Sequence, residues 1–266
     1  MKIIEFIGLP GSGKSTILNK VKSNSKFYKK FSYTYKDFLF NINTRTYYKK
    51  ILFFFIKKNK ATIFIDKKNK NLLKNKFKNL YMGILIKLIS SFLKNSKNNL
   101  FYKSYKKILD FSAHSPQRIK RMEIYFLLKI LSFGLSKKFN NKNYFIFDDE
   151  GFYQNILIKY KDFNINKIKI FNEIKRYIHL SPRPSFIILI DNKNKQIIKR
   201  ANLRTVGYTY YEDDLVNNLK NWDQVKNFLI NCIQKKNIKM VKINNMDNLD
   251  KLKIKKLIKI LDKVRL

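Results

Sequence analysis

The sequence predicts an α/β chain: a parallel sheet of about five strands, helices on both faces, and an inserted helical region. Three observations carry this expectation. Short β-branched or aromatic runs bounded by polar residues alternate with longer helical patterns along the chain. The first run, Ile3-Ile4-Glu5-Phe6-Ile7, leads directly into Gly8-Leu9-Pro10-Gly11-Ser12-Gly13-Lys14-Ser15-Thr16. A later run, Tyr144-Phe145-Ile146-Phe147, ends in Asp148-Asp149-Glu150-Gly151. Strands that alternate with helices form parallel sheets buried on both sides, so their sequences read as continuous apolar runs.

In order along the chain, the strands are expected at 2–8, 143–148, 185–191 and 238–243, with a weaker one at 31–35. Each is a short apolar run bounded by polar or turn residues. Helical patterns fill the intervals at 14–23, 151–160, 167–179, 194–203, 212–235 and 249–264. A long helical region lies between about 47 and 138. The whole chain, 1–266, therefore reads as one domain with a helical insertion at about 40–138.

The glycine-rich segment matches G-x-x-x-x-G-K-[ST], the P-loop pattern, between a strand and a helix. The chain has only seven glycines, and three of them, Gly8, Gly11 and Gly13, fall within six positions here. They let the backbone curl so that N–H groups of the loop, Ser12 and Thr16 included, face phosphate oxygens. Lys14 supplies a cation for the β- and γ-phosphates, and the Ser15 hydroxyl can ligate Mg²⁺. The helix that starts there adds a dipole favouring anions. Lys14 is expected to be solvated, so that its removal would leave the fold intact.

Asp148, Asp149 and Glu150 form the densest acidic run in a chain with 18 Asp and Glu. Carboxylates at a strand end are the Walker B arrangement, in which one acid binds Mg²⁺ and another accepts a proton. Asp148 and Asp149 are candidate metal ligands, and Asp149 and Glu150 are candidate catalytic acids. After the strand at 185–191, Arg200 and Arg204 lie four apart on one helix face. Such a pair can close over a nucleotide and stabilise the charge of a transferred phosphoryl group. Arg118 and Arg121, three apart near Pro116, offer a weaker docking point for an anionic acceptor. Solvated surface arginines explain this last pair equally well.

The net charge of +40 invites a nucleic-acid reading, but only eight of the 58 basic residues are arginine. Bidentate phosphate and base recognition favours arginine, and the lysines run the whole length of the chain. Specific nucleic-acid binding is therefore disfavoured. One cysteine, Cys232, excludes a disulfide framework, and two histidines, His114 and His179, are too few for a metal cluster. No apolar run is long enough to span a bilayer, and no secretory signal precedes the first strand, so a cytoplasmic protein is expected. The apolar, lysine-flanked runs between 47 and 107 read as inserted helices packed on the domain. An alternative is a peripheral contact with the inner face of a membrane.

The order of these features resembles the nucleotide-kinase group, and within it the thymidylate kinase and deoxynucleoside kinase branch. That order is P-loop, acidic strand end, Ser181-Pro182-Arg183-Pro184 turn, strand, Arg200-x-x-x-Arg204, long helix, final strand. Asp149-Glu150-Gly151-Phe152-x-Gln154 is similar to a stretch in small kinase-like proteins of bacterial polysaccharide gene clusters. The resemblance covers residues 1–23 and about 140–245, but not 40–115, where those kinases place acceptor-binding helices. It implies phosphate contacts at residues 11–16 and at Arg200 and Arg204, with metal or base work at Asp149 and Glu150. The chain departs from the pattern in two ways. Nucleoside kinases carry an acid-Arg pair where Asp149-Glu150 stands, and the lid here is short and not glycine-rich. The expected activity is transfer of the γ-phosphoryl of Mg-ATP to a small hydroxyl or phosphate acceptor. The alternative is a nucleotide-dependent ATPase or regulatory protein acting at a membrane or on nucleic acid.

Overall fold

The computed structural model describes residues 2–9, 11–24, 33–34, 90–91, 93–139, 144–147, 151–193, 195–198, 212–244, 255 and 257–260. Asp148, Asp149, Glu150, Arg200, Arg204, Pro10 and most of the 47–107 segment lie outside these residues.

Five strands form one sheet: β1 (Lys2–Ile7), β2 (Tyr33–Thr34), β3 (Tyr144–Phe147), β4 (Phe186–Asp191) and β5 (Lys239–Asn244). Their order is β2-β3-β1-β4-β5, and every pairing is parallel. The longer helices among the described residues are α1 (Lys14–Asn24), α2 (Ser96–Asp110), α3 (Pro116–Phe139), α4 (Phe163–Leu180) and α5 (Glu212–Lys235).

Side-chain alternation on β1 divides the core in two. Ile4 and Phe6 face Ile17, Leu18 and Val21 of α1, together with Phe186, Ile188 and Ile190 of β4 and Leu257. Ile3 and Ile7 face the opposite way, into a larger cluster drawn from α2, α3, α4 and α5. The sheet is thus covered on both sides, as its continuous apolar strands require. An aromatic hub ties the larger layer together. Tyr105 of α2 stacks on Phe126 of α3 at 3.9 Å, and Phe101 lies 5.0 Å from Tyr177 of α4.

The segment 151–160 is not the expected α-helix. It runs through turns and one short 3-10 helix, Gln154–Ile156. It keeps a few local backbone bonds, such as the Leu157 amide to the Gln154 carbonyl at 3.0 Å, while distant side chains claim several of its other backbone groups. Tyr177 Oη donates to the Phe152 carbonyl at 2.8 Å, and Trp222 Nε1 donates to the Ile158 carbonyl at 2.7 Å. The Gln154 amide donates to Glu5 Oε1 at 2.9 Å. Helix α4 begins at Phe163, before the expected start at 167, just after Asp162 takes a left-handed φ of 45°. Aspartate tolerates that conformation better than most residues. In the Ser181–Pro184 turn, Arg183 donates to the carbonyls of Lys236 and Asn237 at 2.6 and 3.2 Å, clasping the turn that links α5 to β5.

Candidate functional site

Strand β1 occupies the centre of the sheet, and the chain leaves β1 and β3 toward opposite faces: α1 packs on one, α4 on the other. Loops that part in this way open a crevice at the carboxyl ends of the strands. The glycine-rich loop lies there.

Its turns use the glycines for specific reasons. Gly11 and Gly13 have φ of 83° and 91°, a region that L side chains rarely enter. Gly8 is needed for space: a Cβ there would lie 2.7 Å from Ser12 Oγ and press on the Ile190 carbonyl. The Ser12 amide closes a turn onto the Leu9 carbonyl at 3.1 Å, and the Ile17 amide bonds the Gly13 carbonyl at 3.0 Å as α1 begins. At the helix start the first amides have no partner within the helix. Ser15 and Thr16 stand exposed on this first turn.

Lys14 is not solvated, contrary to the sequence expectation. It is 8 % exposed, and its Nζ donates to the Gly8 carbonyl at 2.7 Å and the Leu9 carbonyl at 3.3 Å. The curled loop turns these two carbonyls back toward α1, within reach of a four-carbon stem that starts one turn away. Lys14 therefore braces the loop as well as carrying its charge.

Beneath the loop lies a polar cluster that sequence reasoning missed. Glu5 sits in the middle of β1 and is fully buried. Burial pushes its carboxyl up to about 8, against the opposing pull of the amides of Gln154, Tyr153 and Phe152 and of the Lys129 ammonium. Gly151 makes room for it, since a Cβ at that position would overlap the Glu5 carboxyl and its Cγ. Lys129 of α3 is 1 % exposed and donates to Asn155 Oδ1 at 2.7 Å. Gln154 completes the set: its Oε1 accepts from the Gly8 amide at 2.9 Å. The one signal in the sequence was a lone carboxylate inside an otherwise apolar strand.

The site residues read from the sequence are placed as follows. Gly8, Gly11, Ser12, Gly13, Lys14, Ser15 and Thr16 come together in the loop and the first turn of α1. The Gly8 amide is engaged by Gln154, so Gly8 contributes shape. Asp148, Asp149 and Glu150 lie outside the described residues, but Phe147 pairs in register with Glu5 and Gly151 packs on Glu5. Arg200 and Arg204 also lie outside them. The helical residues just before, 195–198, reach the loop, for the Ile197 carbonyl would lie 3.1 Å from a Cβ on Gly11. Arg118 and Arg121 sit in the first turns of α3, about 16 and 12 Å along the helix from Lys129 at 1.5 Å per residue. They stand apart from the cluster under the loop. Asp191, at the end of β4, is spent on ion pairs with Lys242 at 2.8 Å and Lys226 at 3.1 Å. Burial opposes its charge, but hydrogen bonds from Lys242 and Lys226 outweigh this and hold its carboxyl below the usual range.

Among the described residues no group of three or more His, Cys, Asp or Glu side chains could hold a metal ion, and no helix is long and apolar enough to cross a membrane. The exposed Ser15 hydroxyl is an oxygen donor of the kind Mg²⁺ accepts. That ion takes one or two protein oxygens and fills its other positions with water and substrate phosphates.

No protein-family model and no curated protein matches the chain. Solved structures of deoxyadenosine kinase from M. mycoides are similar to it. The form with bound dATP is 15 % identical, covering 98 % of this chain and 100 % of that one, with a TM-score of 0.40. The form with the products dCMP and a flexible dCDP is 15 % identical over 99 % and 100 %, with a TM-score of 0.39. The form with bound dCTP is 16 % identical over 98 % and 100 %, with a TM-score of 0.35. Likeness at this level carries no argument about the chemistry, which rests on the loop, the strand order and the buried cluster.

Proposed function

We propose that this protein is a small-molecule kinase that moves the γ-phosphoryl group of Mg-ATP to a small hydroxyl or phosphate acceptor. The observation that carries the reading is the loop itself. Two positive-φ glycines turn it at the carboxyl end of the central strand, and Lys14 and the start of α1 follow directly. In this reading the loop amides and Lys14 hold the β- and γ-phosphates, and Ser15 with Asp148 or Asp149 would hold Mg²⁺. When bound, the ion neutralises charge on the phosphates. Asp149 or Glu150 orients the acceptor and takes its proton, which calls for a carboxylate within hydrogen-bond reach of the acceptor oxygen. Arg200 and Arg204 close over the phosphates from the segment after Ile197, and their planar forks meet the charge that spreads over the transferred group. Arg118 and Arg121 are kept as an acceptor contact only if the acceptor is long enough to reach the far end of α3.

Two predictions follow from these roles. Asp149→Asn and Glu150→Gln should each lower kcat by on the order of a hundredfold while Mg-ATP affinity holds, because a general base acts on the transition state. Steady-state rates beside calorimetric titrations check this, and two variants of normal rate would reduce the acids to structural caps. Replacing Arg200 or Arg204 by Lys keeps charge but loses the fork, so kcat should fall about tenfold with a smaller change in KM for ATP. Full activity in the double variant would remove the lid.

The reading as a whole is tested by ADP release from the purified protein with Mg-ATP and a library of sugars, nucleosides and their monophosphates. Release that depends on one acceptor class supports a kinase. Release at the same rate with every acceptor and with none supports a nucleotide-dependent ATPase instead.

A further inference from the structure

The Glu5, Gln154 and Gly8 contacts form a continuous chain. Glu5 Oε1 accepts from the Gln154 amide, and Gln154 Oε1 accepts from the Gly8 amide, both at 2.9 Å. The orientation of the Gln154 amide group is fixed by its partner: the Gly8 N–H is a donor, so an oxygen must face it. These contacts join residues 146 and 149 positions apart, more than half the length of the sequence. At one end stands the first residue of the phosphate loop. At the other stands Glu5 of β1, and Gln154, in the turn that follows residues 148–150, links the two.

A buried carboxyl and a buried ammonium cost stability relative to apolar side chains of the same size. Here Glu5 is 0 % exposed and Lys129 1 %, in a layer filled mostly by apolar side chains. Such groups earn a place by fixing geometry. Gly151 adds a second sign of fit, because its missing side chain is what admits the carboxyl.

We infer that Gln154, seated by Glu5, is a positioning residue that sets the glycine-rich loop at a fixed offset from the acidic turn after β3. The inference rests on the phosphotransferase reading for its consequence, since that offset decides whether a γ-phosphate held by the loop meets the acids. Gln154 touches no reacting atom in this account. It acts through Gly8 on one side and through the 151–154 turn on the other.

The test uses the full chain and the probe Mg-ATP, with two readouts. The first is hydrogen exchange of the Gly8 amide in nucleotide-free protein. The second is Mg-ATP affinity by calorimetry. Gln154→Met keeps the length of the side chain and removes the acceptor. It should speed Gly8 exchange, lower Tm by a few degrees, and weaken Mg-ATP binding about fivefold to tenfold, because a loop without its tether must be ordered again on binding. Glu5→Met should give the same loss, the double variant should lose no more than either single one, and Glu5→Gln should recover most of it by keeping an oxygen for the amides. If Glu5→Met fails to fold, Gln154→Met with both readouts still decides. Unchanged Gly8 exchange in Gln154→Met would overturn the inference, and so would faster exchange with unchanged affinity. Wild-type protein that bound no Mg-ATP would sink the kinase reading instead, a failure visible before any variant is made.

Discussion

Lys14→Ala is expected to lower kcat/KM for Mg-ATP by about a thousandfold, on the scale of removing one preorganised donor to developing charge. The loop has no other cation among the described residues from 8 to 16, so the charge is not replaced locally. The variant should also lose roughly 2 kcal/mol of stability, because Lys14 is buried and its ammonium bonds two loop carbonyls. Lys14→Met separates these effects. It keeps the apolar stem and should recover about half of that stability, yet none of the nucleotide binding. Thermal unfolding and calorimetry on the two variants read both quantities. Lys14→Ala with wild-type affinity and turnover would show that the loop does not bind phosphate.

The second large effect is expected at Gly151. Adding a methyl group there sets a Cβ into the space of the Glu5 carboxyl, which is enclosed on all sides. Either the carboxyl leaves the amides of residues 152–154 or the turn shifts. Overpacking and a lost buried hydrogen bond together cost about 3 kcal/mol, more than a hundredfold in the ratio of folded to unfolded protein. Glu5→Ala alone leaves those amides without an acceptor and is also costly. Combined with Gly151→Ala it empties the contested space, so the double variant should be clearly more stable than the sum of the two predicts. Urea unfolding of the four proteins measures this. A Gly151→Ala variant within about 0.5 kcal/mol of wild type would mean that the turn adapts freely.

The parts of this molecule that were legible in the sequence are those written locally. The glycine spacing from Gly8 to Gly13 encodes a loop that needs only its own neighbours. The strands β1 and β4 announce themselves because a strand buried on both faces reads as an almost continuous apolar run. Strands β3 and β5 are marked by short β-branched or aromatic runs bounded by polar residues. Long helices with one apolar face, such as α5, are legible for the same reason. What was not legible is written across the chain. Residues 151–160 contain no helix breaker after Gly151, so propensity alone favours a helix. Tyr177, Trp222 and Glu5 override it by taking the backbone groups a helix would have used. In the sequence Glu5 is only one residue of the first apolar run, and Gln154 one letter of a motif. Their meaning comes from partners some 150 residues away. Lys14 was misjudged for a related reason: its two acceptors exist only once the loop has curled.

On the proposed function, this loop holds a triphosphate so that its γ-phosphoryl group passes to an acceptor. A single-turnover experiment with γ-labelled Mg-ATP, in the presence and absence of the acceptor class found by ADP release, tests it most directly. The account predicts that label leaves ATP into a new phosphorylated product only when the acceptor is present, and that Lys14→Ala abolishes this. Label that appears solely as inorganic phosphate, at the same rate with or without acceptor, would contradict it.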